Sequence, residues 1–94
     1  MQGGNVNNEE IDNKLSKLSE LEIKLLYYCK MPKTLRDIER TFGKDYWYIN
    51  HLINDLHYDG LINKDKKHRD RTKLFNTLLD VAIRVEEEMK KRGI

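Results

Sequence analysis

The chain has 94 residues and a mass of 11.3 kDa, which is enough for one domain with a small core. Charged residues make up 36% of it and hydrophobic residues 38%, and no apolar run approaches the ~18 residues that a membrane span requires. A single cysteine excludes an internal disulfide framework and a cysteine-rich zinc site. The first ten residues lack the basic and apolar blocks of a signal peptide, so we expect a small, soluble, cytoplasmic protein.

The N-terminal segment combines an irregular stretch with a first short helix. Residues 1–8 contain two glycines and three asparagines without hydrophobic periodicity, so we expect them to be disordered. One domain should then span residues 9–94. Ile11, Leu15 and Leu18 recur at helical spacing, which predicts a short amphipathic helix.

A second helix should begin after Ser19. Ser19 and Glu22 have the spacing of a capping box, in which each side chain bonds the other residue's backbone amide. The helix should run to about Lys30, because Pro32 follows closely. Apolar residues occupy two of its faces, so we expect it to be buried on both sides. Cys29 in this helix is either a buried free thiol or the source of a disulfide between two copies of the chain.

Two further helices are predicted within residues 34–59, joined by a tight turn. Thr34 is a good N-cap for the segment TLRDIERTF, which Gly43 should end. Asp45 can cap the longer segment DYWYINHLINDLHYD, which Gly60 terminates. The core side of the longer helix is a stripe of four apolar residues, Ile49, Leu52, Ile53 and Leu56.

The segment 61–76 is predicted to be a β-hairpin with a basic tip. The β-like runs GLINKD and TKLFN flank the polar residues KKHRDR. Between Asn63 and Lys73 the chain carries six basic side chains against two acidic ones, although its formal net charge is only +2. This concentration of positive charge indicates an anion-binding site, with a solvated loop as the alternative.

The C-terminal segment 78–92 is predicted to be a helix with a coiled-coil seam. Its apolar residues follow a 4-3-4 spacing, and an isolated helix of this length is marginal in water. We therefore expect the seam and the N-terminal helix to be buried together at an interface with a second copy of the chain. The alternative is that the C-terminal helix folds back on its own domain. The residues predicted for the dimer interface are Ile11, Leu15, Leu78, Ala82, Val85 and Met89.

The order of these elements is that of a winged helix-turn-helix. TLRDIERTFG resembles the first helix of that motif, and INHLINDLHYDGLI resembles the recognition helix of multiple-antibiotic-resistance-type and arsenic-repressor-type regulators. DRTKLFNTL is similar to the second wing strand of the first family. The resemblance implies a mainly α fold with a small β-hairpin (α+β) and added dimerisation helices at both ends. It also implies a homodimer that regulates transcription from pseudo-palindromic sites on double-stranded DNA.

Two features depart from the family pattern. Asp55 and Asp59 occupy recognition-helix positions where those families often have basic residues, which should weaken the phosphate contacts of this helix. The wing has RDRT at residues 69–72 in place of the full Asp-x-Arg pattern. The chain is also shorter than most drug-responsive members, so we expect no small-molecule ligand. Its size and Lys/Ile/Tyr-rich composition are similar to winged-helix proteins of viruses and plasmids of hyperthermophilic archaea, which would place it in the host cytoplasm.

The residues themselves also favour DNA binding. The side of the longer helix opposite its apolar stripe has amide, imidazole and aromatic groups suited to base edges in the major groove: Trp47, Asn50, His51, Asn54 and Tyr58. Basic wing residues should lie at the minor groove or phosphates: Lys66, Lys67, His68, Arg69 and Arg71. Residues at helix ends and turns should contact backbone phosphates: Lys33, Thr34, Arg36 and Lys44. The alternative is that the polar residues are ordinary solvent-facing side chains and the two aromatic ones pack on a neighbouring helix.

Catalysis and metal binding find little support in the sequence. The histidines have no cysteine or carboxylate at metal-ligand spacing apart from His51 and Asp55, which should form a surface hydrogen bond. Without a glycine-rich phosphate loop or a nucleophile elbow, we expect no enzyme activity, no metal and no cofactor. The alternative function is a winged-helix protein-interaction module, which Asp55, Asp59 and the aromatic run at residues 46–48 support.

Overall fold

The computed structural model describes residues 8–66 and 73–94, apart from the side chain of Lys66. These residues form, in chain order, α1 (Asn8–Ser16), α2 (Glu20–Tyr28), α3 (Leu35–Phe42), α4 (Tyr46–Tyr58), β1 (Ile62–Lys66), β2 (Lys73–Thr77) and α5 (Leu79–Arg92). The predicted class, mainly α with a small β-hairpin, is confirmed. Asn8 was expected to be disordered but begins α1, and the rest of that segment lies outside the described residues.

Capping boxes set where α2 and α3 begin. Ser19 Oγ accepts a hydrogen bond from the Glu22 amide at 3.2 Å, and Glu22 Oε1 accepts one from the Ser19 amide at 2.8 Å. Thr34 and Asp37 form the same reciprocal pair at the start of α3, with distances of 3.1 and 3.2 Å. Each pair satisfies amide groups that the first helical turn cannot satisfy internally. The predicted caps at Ser19 and Thr34 are therefore confirmed.

The turn between α3 and α4 orients the longer helix. Gly43 ends α3 with a φ of 65°, in the left-handed region where a residue without a Cβ is favoured. Two residues later, Asp45 Oδ1 accepts a hydrogen bond from the Tyr48 amide at 2.9 Å and starts α4. This short connection is the turn of a helix-turn-helix, as the sequence predicted.

The two strands form an antiparallel hairpin that is tied to the start of α3. Their register runs from Ile62 opposite Thr77 to Lys66 opposite Lys73. Lys33 adds an isolated bridge to the hairpin, because its amide and carbonyl both bond to the backbone of Phe75, at 3.0 and 2.8 Å. The hairpin therefore lies beside the N-terminus of α3. Its strands confirm the predicted wing, whereas the basic tip at 67–72 lies outside the described residues.

The core surrounds α2. Ile23, Leu25 and Leu26 of this helix are fully buried, which confirms most of the expected burial on two sides, although Tyr27 remains partly exposed. The apolar stripe of α4 lies against this core, with Ile49, Ile53 and Leu56 fully buried and Leu52 half-buried. Its polar side therefore points away from the core.

Helices α1 and α5 pack against each other within one chain, which removes Ile11, Leu15 and Val85 from the predicted dimer interface. Ile11, Leu15 and Val85 are at most 2% exposed in the single chain, so a second copy cannot reach them. The other three predicted residues are half-buried: Leu78, Ala82 and Met89. The structure thus shows the alternative in which the helix folds onto its own domain. A 4-3-4 spacing indicates that a helix face is buried, but it does not specify which chain covers that face.

Cys29 lies in the core at the end of α2. Its side chain is fully buried, and burial raises the pKa of the thiol to about 12. A disulfide with a second copy would need its sulfur at the surface. The structure therefore contradicts the intersubunit bridge and supports the buried free thiol.

Candidate nucleic-acid interface

The outward face of α4 is a continuous stripe of polar and aromatic side chains. His51 and Asn54 are exposed, and Asn50 is half-buried at the edge of the stripe. Trp47 and Tyr58 are 77% and 91% exposed, so they do not pack on a neighbouring helix. The Trp47 ring lies in an edge-to-face arrangement with Tyr46 of the same helix, with ring centroids 5.2 Å apart. The structure therefore presents all five predicted residues of this helix together on one face.

A basic groove runs beside the N-terminal half of this stripe. It has a volume of about 580 Å³ and lies between the start of α3, the first turns of α4 and the two wing strands. Phe75 and Leu35 supply apolar wall. Its polar lining is formed by Thr34, Arg36, Tyr46, Asn50, Lys64 and Lys73. Three of these residues are cationic and none is anionic, so the groove favours a negatively charged ligand.

Lys64 and Lys73 line the groove but are absent from the residues that the sequence predicts to contact DNA. Both belong to the basic stretch that the sequence singles out, but only the residues nearer its tip were assigned to DNA. Pairing of β1 with β2 places these two lysines on the groove wall, beside Asn50. Each of them lies two residues outside the predicted turn at 66–71. Extending the predicted contact region by two residues along each strand would have included them.

The wing contacts α4 directly. Lys64 Nζ donates a hydrogen bond to Asn54 Oδ1 at 3.0 Å. At the base of the hairpin, the Nδ1 atom of His57 is 3.0 Å from the carbonyl oxygen of Ile62. These contacts link the hairpin to α4 at two levels. The exposed face of α4 and the groove therefore form one surface.

The residues predicted at helix ends occupy different environments. Thr34 and Arg36 line the groove. Lys33 lies over the Tyr28 ring at 4.7 Å, and Lys44 lies 6.0 Å from the centre of the Tyr48 ring. Lys33, which is half-buried, precedes α3, and Lys44, which is exposed, follows it. The remaining predicted residues, Lys67, His68, Arg69 and Arg71 and the side chain of Lys66, lie outside the described residues.

The charged groups on α4 are distributed differently from those of the groove. Asp55 Oδ2 lies 3.5 Å from His51 Nε2, which confirms the predicted surface pair. Asp59, just after the helix, is also exposed. Asp55 and Asp59 thus lie at the C-terminal end of α4 and the exposed N-cap Asp45 lies at its start, while the groove carries the positive charge. A polyanion would approach through the groove end.

The described residues were compared with the requirements of a metal site and of a membrane span. Across 8–66 and 73–94 no group of three or more histidine, cysteine, aspartate or glutamate residues is arranged to hold a metal ion. Among the five helices of this part of the chain, none has the length and apolar character that crossing a membrane requires.

The fold is similar to that of several solved transcriptional regulators. A mutant of ZitR from Lactococcus lactis has a TM-score of 0.73 at 13% identity, over 98% of this chain and 60% of that one. The Multiple Antibiotic Resistance Repressor, MarR, has a TM-score of 0.74 at 14% identity, over 92% and 66%. BldR from Sulfolobus solfataricus has a TM-score of 0.73 at 18% identity, over 87% and 63%. No protein-family model and no curated protein sequence matches this chain.

At these sequence identities the similarity defines the fold. The chain has the winged-helix fold of MarR-type regulators, as the resemblance over residues 34–76 implied. The fold neighbours are regulators, not enzymes. This chain spans about 60–66% of the length of the three solved chains.

Proposed function

We propose that this protein is a transcriptional regulator that binds double-stranded DNA sequence-specifically as a homodimer. The observation that carries the proposal is the position of the exposed polar face of α4 beside a basic groove. An α-helix fits the major groove, where amide side chains bond base edges, and cationic side chains neutralise the flanking phosphates. This surface has the amide side chains on α4 and the cationic side chains in the neighbouring groove.

The groups divide into two roles. Asn50, His51 and Asn54 face outward from the helix that would enter the major groove, and they would contact base edges. Arg36 and Lys73 in the groove would contact phosphates, together with the basic wing tip and with Lys33, Thr34 and Lys44 at the helix ends. Asp55 and Asp59 at the C-terminal end of α4 would lie away from the DNA backbone.

Dimerisation would use a surface that includes Ala82 of the predicted interface but otherwise consists of other residues. On α5, Leu79 and Ile83 point to solvent, and Met31 after α2 lies beside them; Leu79 is 77% exposed and Met31 63%. A cavity of about 320 Å³ between these residues also exposes apolar surface. Apolar residues clustered in this way on a small domain mark a contact surface. We call this the α5 face.

The charges around the α5 face favour a second copy of this chain as the partner. Lys30 and Glu86 border the face and lie 3.6 Å apart. A twofold axis through the face would bring the Lys30 of each protomer near the Glu86 of the other, so the surface is complementary to itself. The two α4 helices would then contact successive major grooves, roughly 34–36 Å apart.

One observation supports a protein-interaction module as the second candidate function. The aromatic side chains of α4 are unusually accessible, and tyrosine and tryptophan are enriched where proteins bind each other. In that case the α4 face would bind a partner protein, and Asp55 would contact a basic group on it.

Selection of bound sequences from a random double-stranded DNA library tests the proposal. A DNA-binding regulator should enrich a site made of two half-sites. It should also be retained on heparin, and loss of basic side chains from the groove should lower the salt concentration at which it elutes. The double variant Arg36→Gln/Lys73→Gln should lose affinity for all DNA, whereas the charge-matched control Lys17→Gln/Lys24→Gln should behave as the wild type. No enriched site and no retention on heparin would favour the interaction module instead.

A further inference from the structure

Lys64 and Asn54 form a hydrogen bond that joins the wing to the exposed face of α4. Lys64 Nζ donates to Asn54 Oδ1 at 3.0 Å, from the wall of the basic groove to the outward stripe of the helix. Asn54 is exposed and Lys64 is half-buried, so the pair lies at the surface where the proposed function places DNA.

The chemistry of the pair defines which way the amide points. A lysine ammonium group has three donors and no acceptor, so the amide atom that faces it must be the carbonyl oxygen. The two N–H groups of Asn54 Nδ2 therefore point away from Lys64. Within residues 8–66 and 73–94 this nitrogen has no hydrogen-bond partner. The pair thus presents donors to an incoming ligand, from Nδ2 and from the remaining Nζ protons.

This arrangement distinguishes the two purines. An asparagine that binds adenine bidentately must accept from the adenine N6 amino group while it donates to N7. At Asn54 that amino group would approach an oxygen that lies 3.0 Å from the Lys64 ammonium group, so two sets of N–H donors would face each other there. Guanine instead presents two acceptors, O6 and N7, on the same edge. Those acceptors match one donor from Asn54 and one from Lys64.

We propose that Lys64 and Asn54 together recognise a guanine in each half-site, a specificity that rests on the proposed DNA-binding function. Lys64 positions the Asn54 amide and supplies the second donor. Asn50, one turn earlier, differs because its side-chain amide has no hydrogen-bond partner in the described part of the chain. Its oxygen and nitrogen are both available for adenine.

Binding-site selection with the full chain and the variant Lys64→Met tests the proposal. Methionine keeps an unbranched stem of similar length but cannot donate. The wild type should select guanine over adenine at one position of each half-site by about tenfold. In Lys64→Met this guanine preference should fall below about threefold, because the variant lacks both the second donor to guanine and the cation that opposes the adenine amino group.

Lys73→Met is the matched control, since Lys73 lines the same groove. It should weaken binding to all sequences and leave the selected site unchanged. Asn54→Asp gives a second measurement, because a carboxylate can still pair with Lys64 but has no donor, so the guanine preference should be lost. Circular dichroism should show all three variants folded.

Two results would overturn the inference. If Lys64→Met retains the guanine preference and loses affinity uniformly, Lys64 is only a phosphate ligand. If Asn54→Asp selects the same site as the wild type, Asn54 does not contact the base. A wild type that enriches no DNA sequence would instead contradict the proposed function itself, and the inference with it.

Discussion

Arg84 of α5 holds Asp12 of α1 in a two-point ion pair. Arg84 Nε donates to Asp12 Oδ1 at 2.8 Å, and an Arg84 terminal nitrogen donates to Oδ2 at 2.7 Å. Both side chains are about one-third exposed or less. This planar geometry is the strong form of a carboxylate–guanidinium contact. It joins the two ends of the chain, where Arg92 adds a bond to the Leu15 carbonyl at 3.0 Å.

The ion pair should make the docking of α1 sensitive to acid. The hydrogen bond from Arg84 lowers the pKa of Asp12 below its ordinary value. A carboxyl with a lowered pKa in the folded state stabilises the fold above its unfolded pKa of about 3.9, and this stabilisation is lost as pH falls through the folded value. Asp12→Asn should therefore lower the Tm at pH 7 and have little effect near pH 2. Thermal unfolding followed by circular dichroism measures both.

Glu20→Gln is the control for that experiment. Glu20 pairs with Lys24 at 2.9 Å on the exposed face of α2, a type of ion pair that contributes little to stability. Its Tm should match that of the wild type at both pH values. An Asp12→Asn variant as stable as the wild type at pH 7 would show that the ion pair does not hold α1.

Base recognition by α4 should depend on Asn50. Asn50→Ala should cost ~1–3 kcal/mol on the selected site, because a bidentate contact is lost, and should barely change binding to random DNA. Competition binding with the two kinds of DNA gives both values. Asn13→Ala, which removes an exposed amide from α1, should change neither. Equal losses on selected and random DNA would remove Asn50 from base recognition.

The wing tip should contribute phosphate contacts. Each cation that neutralises a phosphate adds about 0.9 to the slope of log affinity against log salt. The double variant Lys67→Ala/Arg69→Ala should therefore flatten that slope by about two per protomer. Lys17→Ala/Lys24→Ala removes the same charge from the helices α1 and α2 and should leave the slope as it is. An unchanged slope in the wing variant would count against the wing contacts.

The oligomeric state should respond to Ile83 and not to the coiled-coil seam. Ile83 is exposed on the α5 face, so Ile83→Lys should give a folded monomer by sedimentation. Val85 is fully buried, and Val85→Lys should destabilise the fold by ~3 kcal/mol or more because a charge enters the core. Asn13→Lys, on an exposed surface, should leave the dimer intact. A dimer that persists in Ile83→Lys, or a wild-type monomer, would refute this interface.

The thiol of Cys29 should be inert in the native protein. Its burial raises its pKa to about 12, so the reactive thiolate is scarce at pH 8 and is also shielded from reagents. Ellman's reagent should label the protein only after denaturation, where one thiol per chain should be counted. Non-reducing electrophoresis of oxidised protein should show monomer. Rapid labelling of the folded protein would show that α2 opens readily at its C-terminal end.

Local signals in the sequence were sufficient to predict most of the secondary structure. The capping boxes at Ser19 and Thr34, the turn at Gly43 and the apolar stripe of α4 all depend on residues within a few positions of each other, so they can be predicted without the rest of the chain. The same is true of the outward face of α4, since helical periodicity places Asn50 and Asn54 on the side opposite the core.

Long-range pairings were decided only by the tertiary structure. The heptad spacing of α5 indicated a buried stripe, but it did not indicate that α1 of the same chain would pack there. The Arg84–Asp12 ion pair between these two helices joins residues far apart in sequence, so it forms only when the chain folds. Strand register placed Lys64 and Lys73 on the groove wall, and the packing of the hairpin on α4 brought Lys64 to Asn54. A sequence pattern specifies which side of an element is apolar or polar. Which surface that side meets depends on the packing of the whole chain, because the hydrophobic effect is non-directional and does not by itself select a partner.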